Sequence, residues 1–374
     1  SISPVNIIYS RSSWNPNPAP FFALLSILGV YLARARKNYL WFILTGMALA
    51  FACQMHYLAL ILLPIFGLQW IYDLSLIKRG KLEVKNFARG TILGILVFLF
   101  LMSPLAIFDF RHNFINFRAF QTLLTSKNSG IGFSLSESIG QLLPIYNGIL
   151  INDYLAGKVQ IVAGAISILV FLPIVLTVIK KIKKQVFNWP ILSLGIWLTL
   201  GLMGVSFLRN SIYDHYLGFM NPAPFLLLGG LVFLLRKEFR KPAVLGFLLI
   251  LVPLNLLLSP LKDPPNNQLQ RTQNIAHFII SQAQDQPFNF ALLSANNYDS
   301  AYQFYLGIFN HPPQKVPFVK TAQLFVVCED PVCQPINSPK YEIAAFGYAK
   351  IESVQDFDGI KVFKLVPNPM GKPS

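Results

Sequence analysis

The polar residues able to do chemistry gather at the ends of apolar runs. Gln54 and His56 sit between two such runs. Asp109, Arg111, His112 and Asn113 follow a long one, and Arg209, Tyr213, Asp214, His215 and Tyr216 precede another. Arg11, Trp14, Asn15 and Asn17 precede the first. Guanidinium groups and imidazole donors in such positions suit a phosphate. Arg grips phosphate oxygens through two parallel hydrogen bonds, and His adds a charge or a donor. A phosphate carried on a lipid would sit at that depth. The same residue types also anchor helices at a bilayer surface. Asp109 by itself reads as an interfacial partner of Arg111 rather than a base. His56 departs furthest from the anchor reading, because a polar group in a tight turn between apolar helices is costly unless it serves a site. His56, Arg111 and His112 are therefore expected to converge on one phosphate. No Gly-rich phosphate loop, zinc-ligand spacing or nucleophile elbow is present, so no metal ligand and no cofactor are assigned.

The elements that must position these residues follow from composition. The chain has 374 residues, 54% hydrophobic and 13% charged, where a soluble domain carries about a quarter charged. Apolar residues come in blocks long enough to cross a bilayer, and only a helix satisfies its own backbone there. The net charge of +15 does not indicate nucleic acid. About half of the 31 Lys and Arg fall in four short clusters: Arg34/Arg36/Lys37, Lys78/Arg79/Lys81/Lys85/Arg89, Lys180/Lys181/Lys183/Lys184 and Arg236/Lys237/Arg240/Lys241. Such clusters stay in the cytoplasm, so an even number of crossings must separate each pair. This parity turns the stretch 39–72 into a hairpin with its apex at Gln54–Tyr57. The expected fold is an α-helical polytopic membrane protein with eight transmembrane helices, at 19–33, 39–53, 57–72, 90–108, 159–179, 189–207, 216–235 and 242–259. It is followed by a small C-terminal α/β domain outside the cytoplasm.

The outer loop 109–158 is too long to be structureless. Phe114, Phe117, Phe120, Leu123 and Leu124 recur at helical spacing and predict a helix lying in the interface, with a second over 134–146. After Pro264 and Pro265 the composition turns soluble, dividing the chain into a membrane region 1–260 and a domain 261–374. Helices are expected at 268–284 and 298–309, strands at 288–293 and 324–328, and β-rich runs at 343–351 and 360–366. Cys328 and Cys333 can pair where their loop faces an oxidising compartment, whereas Cys53 lies in a membrane helix.

Four stretches together resemble the GT-C superfamily of membrane glycosyltransferases, in particular family 39 and its neighbours, the bacterial relatives of protein O-mannosyltransferases and of the lipid A aminoarabinose transferase. They are Tyr9-Ser-Arg-Ser-Ser-Trp-Asn-Pro-Asn-Pro-Ala-Pro-Phe-Phe22, Gly46-Met-Ala-Leu-Ala-Phe-Ala-Cys-Gln-Met-His-Tyr57, Pro104-Leu-Ala-Ile-Phe-Asp-Phe-Arg-His-Asn113, and Tyr213-Asp-His-Tyr216 with Pro222 and Pro224. The resemblance implies an inverting transferase in the cell (plasma) membrane. Its donor would be a sugar on polyprenyl phosphate, and its acceptor a glycan, lipid or protein reached from outside. It carries donor-phosphate or active-site roles to His56, Arg111 and His112, and further to Arg11, His215 and Tyr216. The family often has Lys where His56 stands. Its acidic base lies in a first external loop ahead of the residues here, which implies N-terminal helices upstream of Ser1 and an inactive fragment without them. Two other readings are a lipid flippase or transporter, and an O-antigen-type polymerase or ligase.

Overall fold

The computed structural model describes residues 2–12, 14–80, 82–125, 134–186, 188–209, 211–265 and 267–369, with the side chains of Leu123 and Leu124 outside that description. The chain forms two compact units, Ser1–Lys262 and Asp263–Ser374. The first is a helix assembly: α1 (Pro4–Ser10), α2 (Ala19–Ala35), α3 (Phe42–Met55), α4 (Leu62–Lys78), α5 (Val84–Arg111), α6 (Ile115–Thr125), α7 (Leu135–Leu143), α8 (Gln160–Ile182), α9 (Trp189–Ser206), α10 (Pro222–Leu234) and α11 (Lys237–Leu257).

Among the described residues five helices are long and apolar enough to cross a membrane: Tyr57–Lys78, Val84–Arg111, Gln160–Ile182, Trp189–Ser206 and Lys237–Leu257. The expected count of eight is therefore corrected to five. The other three segments are apolar helices, Ala19–Ala35, Tyr39–Met55 and Pro222–Leu234. At 1.5 Å per residue, the 13 residues of α10 span only about 20 Å, against a hydrocarbon core of about 30 Å. α10 is short because its expected first turns, from residue 216, are irregular. The chain makes a 3-10 turn over Asp214–Leu217 and starts the helix only at Pro222, whose fixed φ suits a first turn. Trp197 Nε1 donates to the Phe219 carbonyl at 3.1 Å, satisfying part of this non-helical stretch.

Two groups of helices carry the packing. α2, α3 and α5 form one, and glycines allow their close approach. A Cβ at Gly46 would collide with the Gly94 carbonyl, and one at Gly90 with the Tyr39 carbonyl. α3 and α5 run parallel, since Gly94 lies against Phe42 while Gln54 Nε2 donates to the Leu101 carbonyl at 3.2 Å. α8, α9 and α10 form the other group, and α4 joins the two through Gln69, which accepts from Ser193 Oγ at 2.5 Å. Arg34 bonds Asp73 at 2.9 Å, and Lys181 lies over Tyr72. Asn86 accepts from the Tyr39 amide, and Leu234 shares a hollow with Lys180 and Trp189. These contacts bring all four basic clusters to one end of the unit.

The loop 109–158 departs from expectation in its second half. α6 is exposed along its described side chains. α7, however, runs on into a π-helical stretch, Pro144–Ile151, and Ile145, Tyr146, Leu150, Ile151, Tyr154 and Leu155 belong to the main core. Helix α7 matches most of the helix expected over 134–146 and leaves Leu135, Ile139 and Leu143 exposed; only the chain beyond it, from Ile145, enters the bundle.

In the second unit α12 (Gln268–Ala283), β1 (Asn289–Leu293), α13 (Ser300–Ile308), β2 (Leu324–Cys328), α14 (Tyr341–Phe346), β3 (Ala349–Phe357) and β4 (Ile360–Pro367) build a four-stranded sheet of order β1-β2-β4-β3. β1 and β2 are parallel, and the other pairs are antiparallel. β2 is buried throughout because both faces are covered. Phe325 and Val327 face the α12–α13 core, while Leu324, Val326 and Cys328 face the core closed by Ile343 and Phe346 of α14. The β-rich run expected at 343–351 is corrected: Tyr341–Phe346 is helical and ends at Gly347, with φ +84°, and the strand runs from Ala349 to Phe357. Asp358 and Gly359 make the hairpin turn with positive φ at both positions. Cys328 and Cys333 are joined as a disulfide, their Cα atoms 6.0 Å apart.

Candidate functional site

At the end of the first unit opposite the basic clusters, three separate stretches meet. α1 and its following loop supply Tyr9 and Trp14, the turn after α3 supplies His56, and the turn before α10 supplies Tyr213–Tyr216. Asn17 shapes the first stretch by donating to the carbonyls of Tyr9 and Ser12, folding the loop back on itself. Tyr9, Ser12, Trp14, Asn15 and Asn17 line an open hollow of about 500 Å³.

Asp214 is the carboxylate of the cluster. It accepts from the Tyr9 hydroxyl and, at 2.8 Å, from the His215 amide. Tyr154, a core residue of the re-entrant stretch, donates to the Asp214 carbonyl at 2.9 Å and pins the turn from below. Burial first, and the Asp214 carboxylate second, push the Tyr9 phenol well above its ordinary range, so it stays a donor. His215 lies 4.5 Å from the Trp14 ring and 4.7 Å from Tyr216, centroid to centroid. His56 is 6.1 Å from His215 and 5.5 Å from Tyr216.

Both imidazoles are held neutral. Burial lowers His56 to about 4, with His215 adding a smaller push. Burial also lowers His215, against the opposing pull of Asp214 at 3.7 Å. His56 Nδ1 accepts from the Leu58 amide at 3.3 Å, which leaves the ring proton on Nε2. The pocket thus offers aromatic faces, an N–H donor and a fixed carboxylate. That set suits a polyhydroxylated ring: faces stack on C–H groups, and the carboxylate accepts from hydroxyls.

The expected residues divide. His56, His215 and Tyr216 come together. Arg11 is nearby in chain, two residues from Tyr9, and its guanidinium donates to the Pro260 carbonyl at 3.4 Å. Arg111 and His112 make no direct contact with this cluster: among the described residues no hydrogen bond, ion pair or ring contact links either to His56. Gln54, just below His56, is level with Leu101, and α5 runs ten residues further to Arg111, about 15 Å along the axis. His112 stacks on Phe108 and bonds its carbonyl, a contact within its own helix. Nor does Asp109 pair with Arg111. Its oxygens accept from the Asn116 and Phe117 amides at 2.7 and 3.1 Å, satisfying free N–H groups at the start of α6. Tyr9 and Tyr154 are the contributors that sequence reasoning missed. No local signal marks Tyr154, which follows Asn152 and Asp153 in a loop read as external. Ser129 of that loop lies outside the described residues.

Among the described residues no three His, Cys, Asp or Glu side chains gather as a metal site. No family model matches the chain, and neither curated proteins nor solved structures gave a match.

Proposed function

We propose that the helical unit is a membrane-embedded glycosyltransferase that moves a sugar from a polyprenyl-phosphate donor to a glycan, lipid or protein acceptor, at the membrane face opposite the basic clusters. The observation that carries this reading is the meeting of Trp14, His56, Tyr213, His215 and Tyr216 around an Asp214 held by Tyr9. The site has an aromatic wall for a sugar and a carboxylate for its hydroxyls, and it opens at the end of a bundle whose apolar helices suit a lipid chain. Cationic Lys and Arg concentrated at the opposite end supports a cytoplasmic placement there, and a disulfide in the second unit supports an oxidising one for that unit. A phosphate arriving beside His56 and His215 would raise their proton affinity. Arg111 and His112, further out on α5, would meet a lipid headgroup rather than the sugar.

The test is photolabelling in membranes with a radiolabelled polyprenyl-phosphate sugar carrying a photoreactive group. Trp14→Ala and His215→Ala should each reduce labelling about tenfold, as expected for loss of a stacking or hydrogen-bonding contact of about 1.4 kcal/mol, whereas Arg111→Ala should reduce it less. Labelling unchanged in both site variants would sink the reading. A transporter is the second reading, favoured by the buried Arg34–Asp73 pair with Gln69 and Ser193 inside the bundle. That network sits among the basic clusters rather than midway along the helices, where transporter sites lie.

A further inference from the structure

At the end of the first unit that carries the basic clusters, a hollow of about 400 Å³ lies between the end of α8, the start of α9 and the end of α10. Leu176, Trp189 and Leu234 form its apolar part. Thr177, Lys180 and Asn188 line it as well, and no carboxylate does. Each of these three has a donor to spare. A helical Thr ordinarily bonds the carbonyl four residues back, as Thr122, Thr125 and Thr199 do here. Thr177, 2% exposed, does not. Its hydroxyl makes no hydrogen bond among the described residues and is not sealed from solvent, so it faces the hollow. Asn188 Oδ1 accepts from the Ile191 amide at 3.4 Å as the cap of α9, and Nδ2 has no partner among the described residues. The Lys180 ammonium has none there either, whereas its neighbour Lys181 lies over Tyr72. Buried polar groups of native proteins are almost always satisfied, so the unused Thr177 hydroxyl beside an unpaired cation points to an occupant.

Chemistry narrows that occupant. An ammonium, an amide NH₂ and a hydroxyl around one space call for several acceptors on one group, and the uncompensated charge calls for an anion. A phosphate supplies both, with a charge-assisted bond from Lys180. The start of α9 on the same wall adds the partial positive charge of a helix N-terminus. A lipid hydroxyl would leave the cation unpaired. A choline headgroup would bring a second cation among Lys180, Lys181, Lys183 and Lys184. The apolar part of the hollow continues outward. Ile168, Leu172 and Leu176 recur every four residues on α8 and are all exposed, so they make one stripe leading to Thr177 and Lys180. Basic pockets between membrane helices near the charged end are where anionic headgroups bind.

We propose that this hollow binds the phosphate of an anionic phospholipid, with Thr177, Lys180 and Asn188 as donors and an acyl chain along Ile168, Leu172 and Leu176. The proposal does not depend on the transferase reading, whose site lies at the other end of the unit.

The test uses the full chain in detergent micelles and a phosphatidylglycerol photoprobe with a diazirine near the start of one acyl chain. Crosslinked peptides should map to the end of α8 and the start of α9. Dioleoyl phosphatidylglycerol should compete for labelling, and dioleoyl glycerol and dioleoyl phosphatidylcholine should compete about tenfold less well, the first lacking the phosphate and the second adding a cation. Lys180→Gln and Thr177→Val should each bring phosphatidylglycerol and dioleoyl glycerol within about threefold of each other. Lys180 is exposed, so its replacement keeps the test informative where Thr177→Val fails to fold. Lys183→Gln removes the same charge outside the hollow and should leave the gap as it was. Equal narrowing by Lys183→Gln, the result expected of diffuse attraction to a basic surface, would overturn the proposal. Absence of labelling on α8 and α9 would overturn it too. Competition by glycerol 3-phosphate as strong as that of phosphatidylglycerol would make the ligand a soluble phosphate and overturn the lipid.

Discussion

At the scale of single residues, His56 joins the local chain to the candidate site. Its Nδ1 caps the turn that starts the next helix, and its burial holds the ring neutral. The sign of the pH effect follows. Unfolded His takes a proton at about 6.5, and folded His56 only at about 4, so the unfolded state binds more protons between those values. The stability His56 contributes is present above about pH 6.5 and is lost as pH falls toward 4. His56→Gln should flatten that part of the acid limb, measured as the unfolding midpoint in detergent against pH; an unaltered limb would place its origin elsewhere. Tyr9 gives a second expectation. Tyr9→Phe removes a donor from Asp214, whose side chain is 33% exposed, so water can replace part of the loss. Destabilisation of about 1 kcal/mol is expected from the same measurement.

At the scale of elements, two devices hold the helices in place. One is the close approach of α3 and α5. Gly46→Ala forces a Cβ into the Gly94 carbonyl and should cost about 1–3 kcal/mol by thermal unfolding. Gly164→Ala in α8, where an added Cβ meets nothing within 4 Å, should be neutral or slightly stabilising. Equal effects would mean that α3 and α5 do not pack at this distance. The other device is the bond from Arg34 on α2 to Asp73 on α4, with side chains 9% and 0% exposed. Asp73→Leu leaves a buried guanidinium unpaired and should cost about 3–5 kcal/mol, while Arg34→Met combined with Asp73→Leu should recover most of it. A double variant no better than the single one would show that Asp73 matters for something other than neutralising Arg34.

At the scale of the whole molecule, the two units have separate cores. The second packs α12 and α13 on one face of its sheet and α14 on the other. Residues 263–374 expressed alone should therefore unfold cooperatively, with near-ultraviolet dichroism lost in one transition; a gradual loss would deny this unit independent stability. The first unit has polar chemistry at one end and basic clusters at the other. A cysteine placed at the exposed Tyr213 should react with an impermeant thiol reagent on intact cells, and one placed at Lys183 should not, in a background without Cys53, Cys328 and Cys333. The reverse pattern would invert the orientation.

The sequence by itself determined where most helices lie and that the basic clusters share an end. Apolar runs and charge clusters are local features, and helix parity needs only their order. It also determined most strands of the second unit, because β2 has no polar residue to spare for solvent. The tertiary structure alone decided which polar residues meet. Arg111 and His56 both end apolar helices, yet α5 runs ten residues past the Leu101 level of Gln54, a length that no motif encodes. Asp109 is spent on the α6 amides because the chain turns back at Asn113 and Phe114, both with positive φ. Tyr154 reaches Asp214 because residues 145–155 bury themselves, and burial depends on what the rest of the bundle leaves uncovered. Helix formation satisfies a segment's own backbone and can be read locally; a site is made by side chains distant in sequence, and only packing sets their separation.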